Sequence, residues 1–194
     1  MSKKLIAVMC VTASALLLGG CATNIKASTN SNPPPTEKFS NFSHIEIKPA
    51  QLSPEMAGDS ANQRALIKIQ ENLDLNLKAQ LQQWNSGKAG TGRTLVIEPI
   101  VEQIKFISGG VRFFAGPMAG SSAVVMKLKI MDTAGNKVVA YPEFYQRAEA
   151  WSGAFTLGVH DNMMLTRTAR IASDYLINNY TKAVGGPTGG NVSE

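Results

Sequence analysis

Two apolar-alternating runs, residues 123–131 and 138–150, flank the five residues Asp132-Thr133-Ala134-Gly135-Asn136. Such a loop carries the residue types that reverse a chain, so the two runs are expected to pair as an antiparallel hairpin. A hairpin with one apolar face needs a cover, and the chain supplies two candidates. Residues 62–84 carry a helical stripe of Ala65, Ile69, Leu73, Leu77, Leu81 and Trp84. The same stretch also alternates through Leu73, Leu75, Leu77, Ala79 and Leu81, which is a strand signal. Its length and its wealth of Ala, Leu, Gln, Lys and Glu decide for a helix. The second candidate opens at His160 or Asp161 and runs to Tyr180, with Leu165, Thr168, Ala169, Ala172 and Leu176 on one face and Met164, Ile171 and Tyr175 widening it. A short strand is expected at 44–49 and a long one at 94–107, where Pro99 near its start points to an edge or a bend. The order β-α-β-β-β-α defines an α+β class, a mostly antiparallel sheet with two helices packed on one face.

The ends of the chain have a different character. Lys3 and Lys4 precede a charge-free apolar run, residues 5–18, that is shorter than the ~20 residues needed to span a bilayer. No second run of that kind follows. The next residues, Leu18-Gly19-Gly20-Cys21, resemble the lipobox of bacterial lipoproteins: small residues let the cleavage enzyme reach the backbone, and the cysteine thiol takes diacylglycerol. The resemblance implies a signal peptide over 1–20, an acylated Cys21 and anchoring to membrane lipid, durable at about 0.8 kcal/mol per buried CH₂. Ala22 in place of an aspartate favours the outer membrane, with the domain facing the periplasm. Residues 21–42, rich in Ser, Thr and Asn and containing Pro33-Pro34-Pro35, read as the lipidated cysteine and a disordered tether. As a flexible coil that tether covers on the order of 25 Å, and stretched about 70 Å. Residues 43–182 then form a single domain, and 183–194, with its Gly-Gly pairs, a disordered tail.

Composition narrows the function classes. Of the two cysteines, Cys10 lies in the leader and Cys21 is the acylation site, so the mature part offers neither disulfide nor thiol chemistry. His44 and His160 are too isolated to suggest a metal site. The net charge of +5 falls to about +3 without Lys3 and Lys4, and the basic residues are scattered without the clustering that nucleic-acid binders show. No cofactor motif is present.

Residues 108–122, Ser-Gly-Gly-Val-Arg-Phe-Phe-Ala-Gly-Pro-Met-Ala-Gly-Ser-Ser, are the most unusual segment. Phe113 and Phe114 are costly to leave in water. They either tuck back over the sheet or, with Arg112, contact a partner protein or the membrane. The spacing is not that of a phosphate loop, and Ser121 and Ser122 lack the nucleophile elbow. In residues 141–151, alternation places Tyr141, Glu143, Tyr145, Arg147, Glu149 and Trp151 on one face. Glu143 and Glu149 could act as an acid–base pair, or with Arg147 form a solvent-side ion-pair row. Arg147 and Trp151 join Arg112, Phe113 and Phe114 as candidate partner-binding residues. Asp161-Asn162 is expected to cap the last helix.

Val96-Ile97-Glu98-Pro99, Ser108-Gly109-Gly110-x-Arg112, Gly120-Ser121-Ser122, Glu143-Phe144-Tyr145-Gln146-Arg147-Ala148 and Asp161-Asn162-x-Met164-Leu165 together resemble a family of bacterial lipoproteins defined only as a domain of unknown function. The layout is more distantly similar to that of the curli secretion channel lipoprotein, whose two interstrand regions extend into membrane hairpins. Membrane strands need ~9–11 residues of apolar-out alternation. Ile107, Val111, Phe113 and Ala115 give part of that pattern. Two functions are therefore expected to compete: a noncatalytic envelope accessory protein that binds another envelope protein, and an oligomeric export or pore component.

Overall fold

The computed structural model describes residues 25–86, 92–107, 120–149 and 159–189. Its elements are β1 (Ser31–Asn32), a 3₁₀ turn (Phe39–Asn41), β2 (His44–Ile47), β3 (Gln51–Leu52), α1 (Ser60–Asn85), β4 (Thr94–Lys105), β5 (Ser121–Asp132), β6 (Lys137–Ala140), β7 (Glu143–Glu149), α2 (Val159–Thr181) and β8 (Gly186–Pro187). The fold is α+β, with a mixed sheet and two helices, in the order expected. β4 is its central strand: β2 and β3 run parallel to it on one side, and β5 runs antiparallel on the other. Beyond β5 lie β6 and β7, each pairing with a different half of it.

Period-two burial on the strands decides which face is covered. Leu95, Ile97 and Val101 of β4, Val124, Met126, Leu128 and Ile130 of β5, and Phe144 of β7 are all buried in one core. The helices fill the other side of that core with Ala65, Ile69, Leu73 and Leu77 of α1 and Met164, Leu165, Ala169, Ala172 and Leu176 of α2. The helix reading of the ambiguous Leu stretch holds, and it explains Leu75, which the helical period turns out to solvent at 81% exposure. Asp59 caps α1, its carboxylate accepting from the N–H groups of Ala61 and Asn62. Ala61, Arg64 and Ala65 share a groove with Asp161, Asn162 and Leu165, while at the far ends Trp84 stacks on Tyr180 at 4.7 Å. The two helices therefore run side by side in the same direction. Among the described residues, no helix is long and apolar enough to cross a membrane.

Of the two expectations for Pro99, an edge or a bend, the edge fails, because Pro99 lies in the central strand. The Leu128 N–H donates to Pro142 O, away from β4, so Leu128 and Pro99 form a non-hydrogen-bonded pair. The Pro99 nitrogen thus points at the other neighbour. There the ladder ends as Lys48 N–H donates to Ile97 O, and pairing resumes only at Gln51. The missing donor falls in the gap between β2 and β3. The second hairpin strand is also not continuous: Pro142 separates β6 from β7. The reversal itself is as read, with Asn136 in the left-handed region at φ 46°.

The larger correction concerns the termini. From residue 28 onward, the segment read as a tether is part of the fold. Phe39 and Phe42 are each 1% exposed, and Phe39 sits 6.4 Å from the Tyr175 ring. β1 pairs with β8, so the C-terminal stretch is also ordered through residue 189. Asn179 secures it: its Oδ1 accepts from the N–H groups of Val184 and Gly185, and its amide donates to Gly185 O.

Candidate functional site

Two long segments, 108–119 between β4 and β5 and 150–158 between β7 and α2, leave and rejoin the fold at one end of the sheet. β4 ends where Lys105 pairs with Ala123, and β5 begins where Ser121 pairs with Glu149, the last residue of β7. The start of α2 lies at the same end, because Asp161, Asn162 and Leu165 line a groove of about 360 Å³ with Phe106 of the β4 end and Arg64 of α1. Ser122 is buried, and its hydroxyl accepts from the Ile107 N–H at 3.1 Å. Arg147, exposed on the outer face of β7, donates from Nε to Ser121 Oγ at 2.7 Å. Of the candidate partner-binding residues, Arg147 is thereby placed at this end. Arg112, Phe113, Phe114 and Trp151, like the acylation site Cys21, lie outside the described residues.

The outer face of the sheet carries cross-strand ion pairs. Lys127 reaches Glu102 at 2.7 Å and Glu143 at 3.8 Å, and Lys129 reaches Glu98 at 3.3 Å. The Tyr141 hydroxyl donates to Glu102 at 3.1 Å, and the Lys127 ammonium lies 5.4 Å from the Tyr141 ring centre. Its hydrogen bond to Glu102 raises the Lys127 pKa, and burial raises that of Tyr141. Glu143 also accepts from Ser28, through both N–H and hydroxyl. It belongs to this outer face and has no place in the groove that holds Asp161. These ion pairs run between strands, where opposed residues lie close together; the expected row along β7 includes Glu149, whose side chain lies outside the described residues. Asp161 lies within the first turn of α2, which starts at Val159, where its negative charge suits the helix dipole.

Several structural residues escaped the sequence reading. Arg93 binds Glu37 with two hydrogen bonds, 3.0 and 2.6 Å, and Asp132 with two more, 3.1 and 2.7 Å. Its guanidinium lies 4.5 Å from the Phe42 ring centre. The bond to Arg93 holds the Glu37 carboxyl below its ordinary pKa, and both carboxylates raise that of Arg93. This clamp fastens the N-terminal segment to β5. Asn32 does the same at β7, accepting from Glu143 N–H and donating to Glu143 O, both at 2.8 Å. Neither could be found locally, since the partners lie far apart in sequence. The one available signal was Phe39 and Phe42, two aromatics out of place in a solvated tether. Gln146, buried on the core face of β7, makes no hydrogen bond from Nε2 among the described residues. Those residues also contain no group of three or more His, Cys, Asp or Glu side chains that could hold a metal ion.

No protein-family model matches the chain, and no curated protein matches it. Among solved structures it is similar to the PelC dodecamer from Paraburkholderia phytofirmans, at 13% identity over 71% of this chain and 91% of that one, with a TM-score of 0.37. A candidate lipoprotein from Caulobacter crescentus CB15 matches at 14% identity over 74% of this chain and 92% of that one, TM-score 0.36. A Xanthomonas campestris protein of the DUF330 family matches at 11% identity over 81% and 98%, TM-score 0.37. These likenesses are too remote to carry a function to this chain.

Proposed function

We propose that this protein is a lipoprotein of the bacterial envelope, anchored in the outer membrane through acylated Cys21, that works without catalysis by binding another envelope protein. The anchor reading rests on the leader and on Leu18-Gly19-Gly20-Cys21. One structural observation supports the binding reading above others: 108–119 and 150–158 begin and end at the same end of the sheet, beside Arg147. That convergence lets Arg112, Phe113, Phe114, Arg147 and Trp151 serve one contact surface. Aromatic and arginine side chains are the usual anchors of such surfaces. Among the described side chains of the sheet, by contrast, Glu98, Glu102, Glu143 and Asp132 are engaged in ion pairs with Lys or Arg.

The same convergence also suits the alternative, a homo-oligomeric export component in which these segments meet those of neighbouring copies. Crosslinking of the full-length protein in native membranes separates the two. The binding reading expects recovery of one envelope protein, lost when Arg112, Phe113 and Phe114 are replaced together by Ala, with the melting temperature little changed. A discrete ladder of the protein with itself would favour the oligomer. If the triple variant captures its partner as well as wild type does, the surface is misassigned.

A further inference from the structure

We propose that the β7 edge, with residues 25–30 and 186–189 laid along it, is the face this domain turns toward the lipid headgroups. The inference rests on acylation of Cys21 and adds an orientation to it. Ser28 is fixed to Glu143 by hydrogen bonds of 2.6 and 3.0 Å from its N–H and hydroxyl. Thr188 N–H donates to Asn30 O, Tyr145 N–H donates to Thr188 O, and the Thr29 and Thr188 hydroxyls lie 3.4 Å apart. Lys26, Ala27, Thr29 and Asn30 line a shallow groove of about 640 Å³ with Tyr145, Thr188 and Gly189.

The chain available between lipid and fold is therefore only that from Cys21 to Ser28, at most about 25 Å when fully extended. A domain of this size has a radius of gyration of about 15 Å and is roughly 40 Å across. The leash is shorter than the domain. An orientation with the outer face of α1 on the bilayer would hold Ser28 a helix layer of about 10 Å and up to three strand spacings, about 14 Å, away, which leaves the leash almost no slack. α1 packs against β2 and β3, at the sheet edge opposite β7. The edge turned to the membrane is polar, built of Ser, Thr and Asn with the exposed Lys26, which suits phosphate-bearing headgroups.

The test uses the full-length acylated protein in vesicles of phosphatidylethanolamine and phosphatidylglycerol. Fluorophores are placed singly at Asn30→Cys and Leu75→Cys, both exposed positions, and a quencher is attached to the lipid headgroups. We expect quenching several-fold stronger at position 30 than at 75. Inserting about 20 Gly and Ser residues between Thr23 and Asn24 should shrink that difference, since the coil then reaches past the domain. Equal quenching at 30 and 75 in vesicle-bound wild type, or stronger quenching at 75, overturns the orientation. Flotation with the vesicles, with Cys21→Ser as control, keeps the two readings apart. If wild type fails to float, the acylation reading falls and takes the orientation with it; if it floats and the labels do not differ, the orientation alone falls.

Discussion

Phe39→Ala is the sharpest test of the folded N-terminal segment. A solvated tether would lose nothing when a phenylalanine is truncated, whereas here Phe39 is 1% exposed and leans on Tyr175, whose ring also meets Phe144 edge-on at 5.8 Å. Truncating a buried phenylalanine removes its transfer energy and leaves a cavity, together about 3–5 kcal/mol. For a domain of this length each kcal/mol moves the melting temperature by roughly 2–4 °C, so a drop of about 6–20 °C is expected. Urea unfolding of the domain, followed by the fluorescence of Trp84 and Trp151 together, should show a lower midpoint with an unchanged slope. Leu75→Ala is the control: at 81% exposure it should stay within about 0.5 kcal/mol of wild type. A loss below about 1 kcal/mol for Phe39→Ala would return the segment to the status of a tether. It would also remove the geometric basis for the membrane-facing edge, since the leash would lengthen.

Two further outcomes follow from the terminal clamps. Arg93 holds the Glu37 pKa below its ordinary value of 4.5, so the stability this pair contributes is fully present above that value and is lost as pH falls through the folded value. Wild type should therefore exceed Glu37→Gln in stability at pH 7, with a gap that narrows below about pH 4.5; a gap that grows on acidification would refute the clamp. Gly185 has φ of +76°, and an added Cβ would clash with Asn32 O. Gly185→Ala should destabilise by more than about 1 kcal/mol in denaturant titration, and a neutral result would mean that β1 and β8 do not approach as described.

The sheet and helices were legible because each is written in a period. The twelve residues of β4 alternate buried and half-buried along most of their length, and α1 repeats its apolar residues every fourth position through Ala65, Ile69, Leu73 and Leu77. Pro142 was legible in principle, since a strand proline predicts a break. The terminal segments were not. Their Ser, Thr, Asn and Pro content describes a chain with little to bury, and their ordering comes from side chains that act as backbone for a distant strand. Asn32 is 111 residues from Glu143 in sequence, a pairing that no local pattern encodes. Of the candidate contact residues, Arg147 alone lies among the described residues: alternation gave its face of β7, and its place at the sheet end comes from the pairing of β5 with β7, which no local pattern encodes.

The closure of the sheet bears on how this domain can bind. An edge strand with free N–H and C=O groups invites strand addition. Here asparagine side chains occupy part of both outer edges. Asn85, at the end of α1, accepts from Ile45 N–H at 2.8 Å and donates to Ile45 O at 2.9 Å, closing β2. Asn32 makes the same pair of bonds with Glu143 on β7, and the next N–H along, that of Tyr145, is taken by Thr188. β6 is engaged as well, its Val139 O accepting from Thr36 N–H. The inner sheet face is core and the outer face is laced with cross-strand ion pairs, whose rupture would strand half-buried charges. A partner that respects this fold has little to gain from strand addition at β2 or β7. The end of the sheet where 108–119 and 150–158 leave and rejoin the fold is left as the surface on which the proposed contact is best sought.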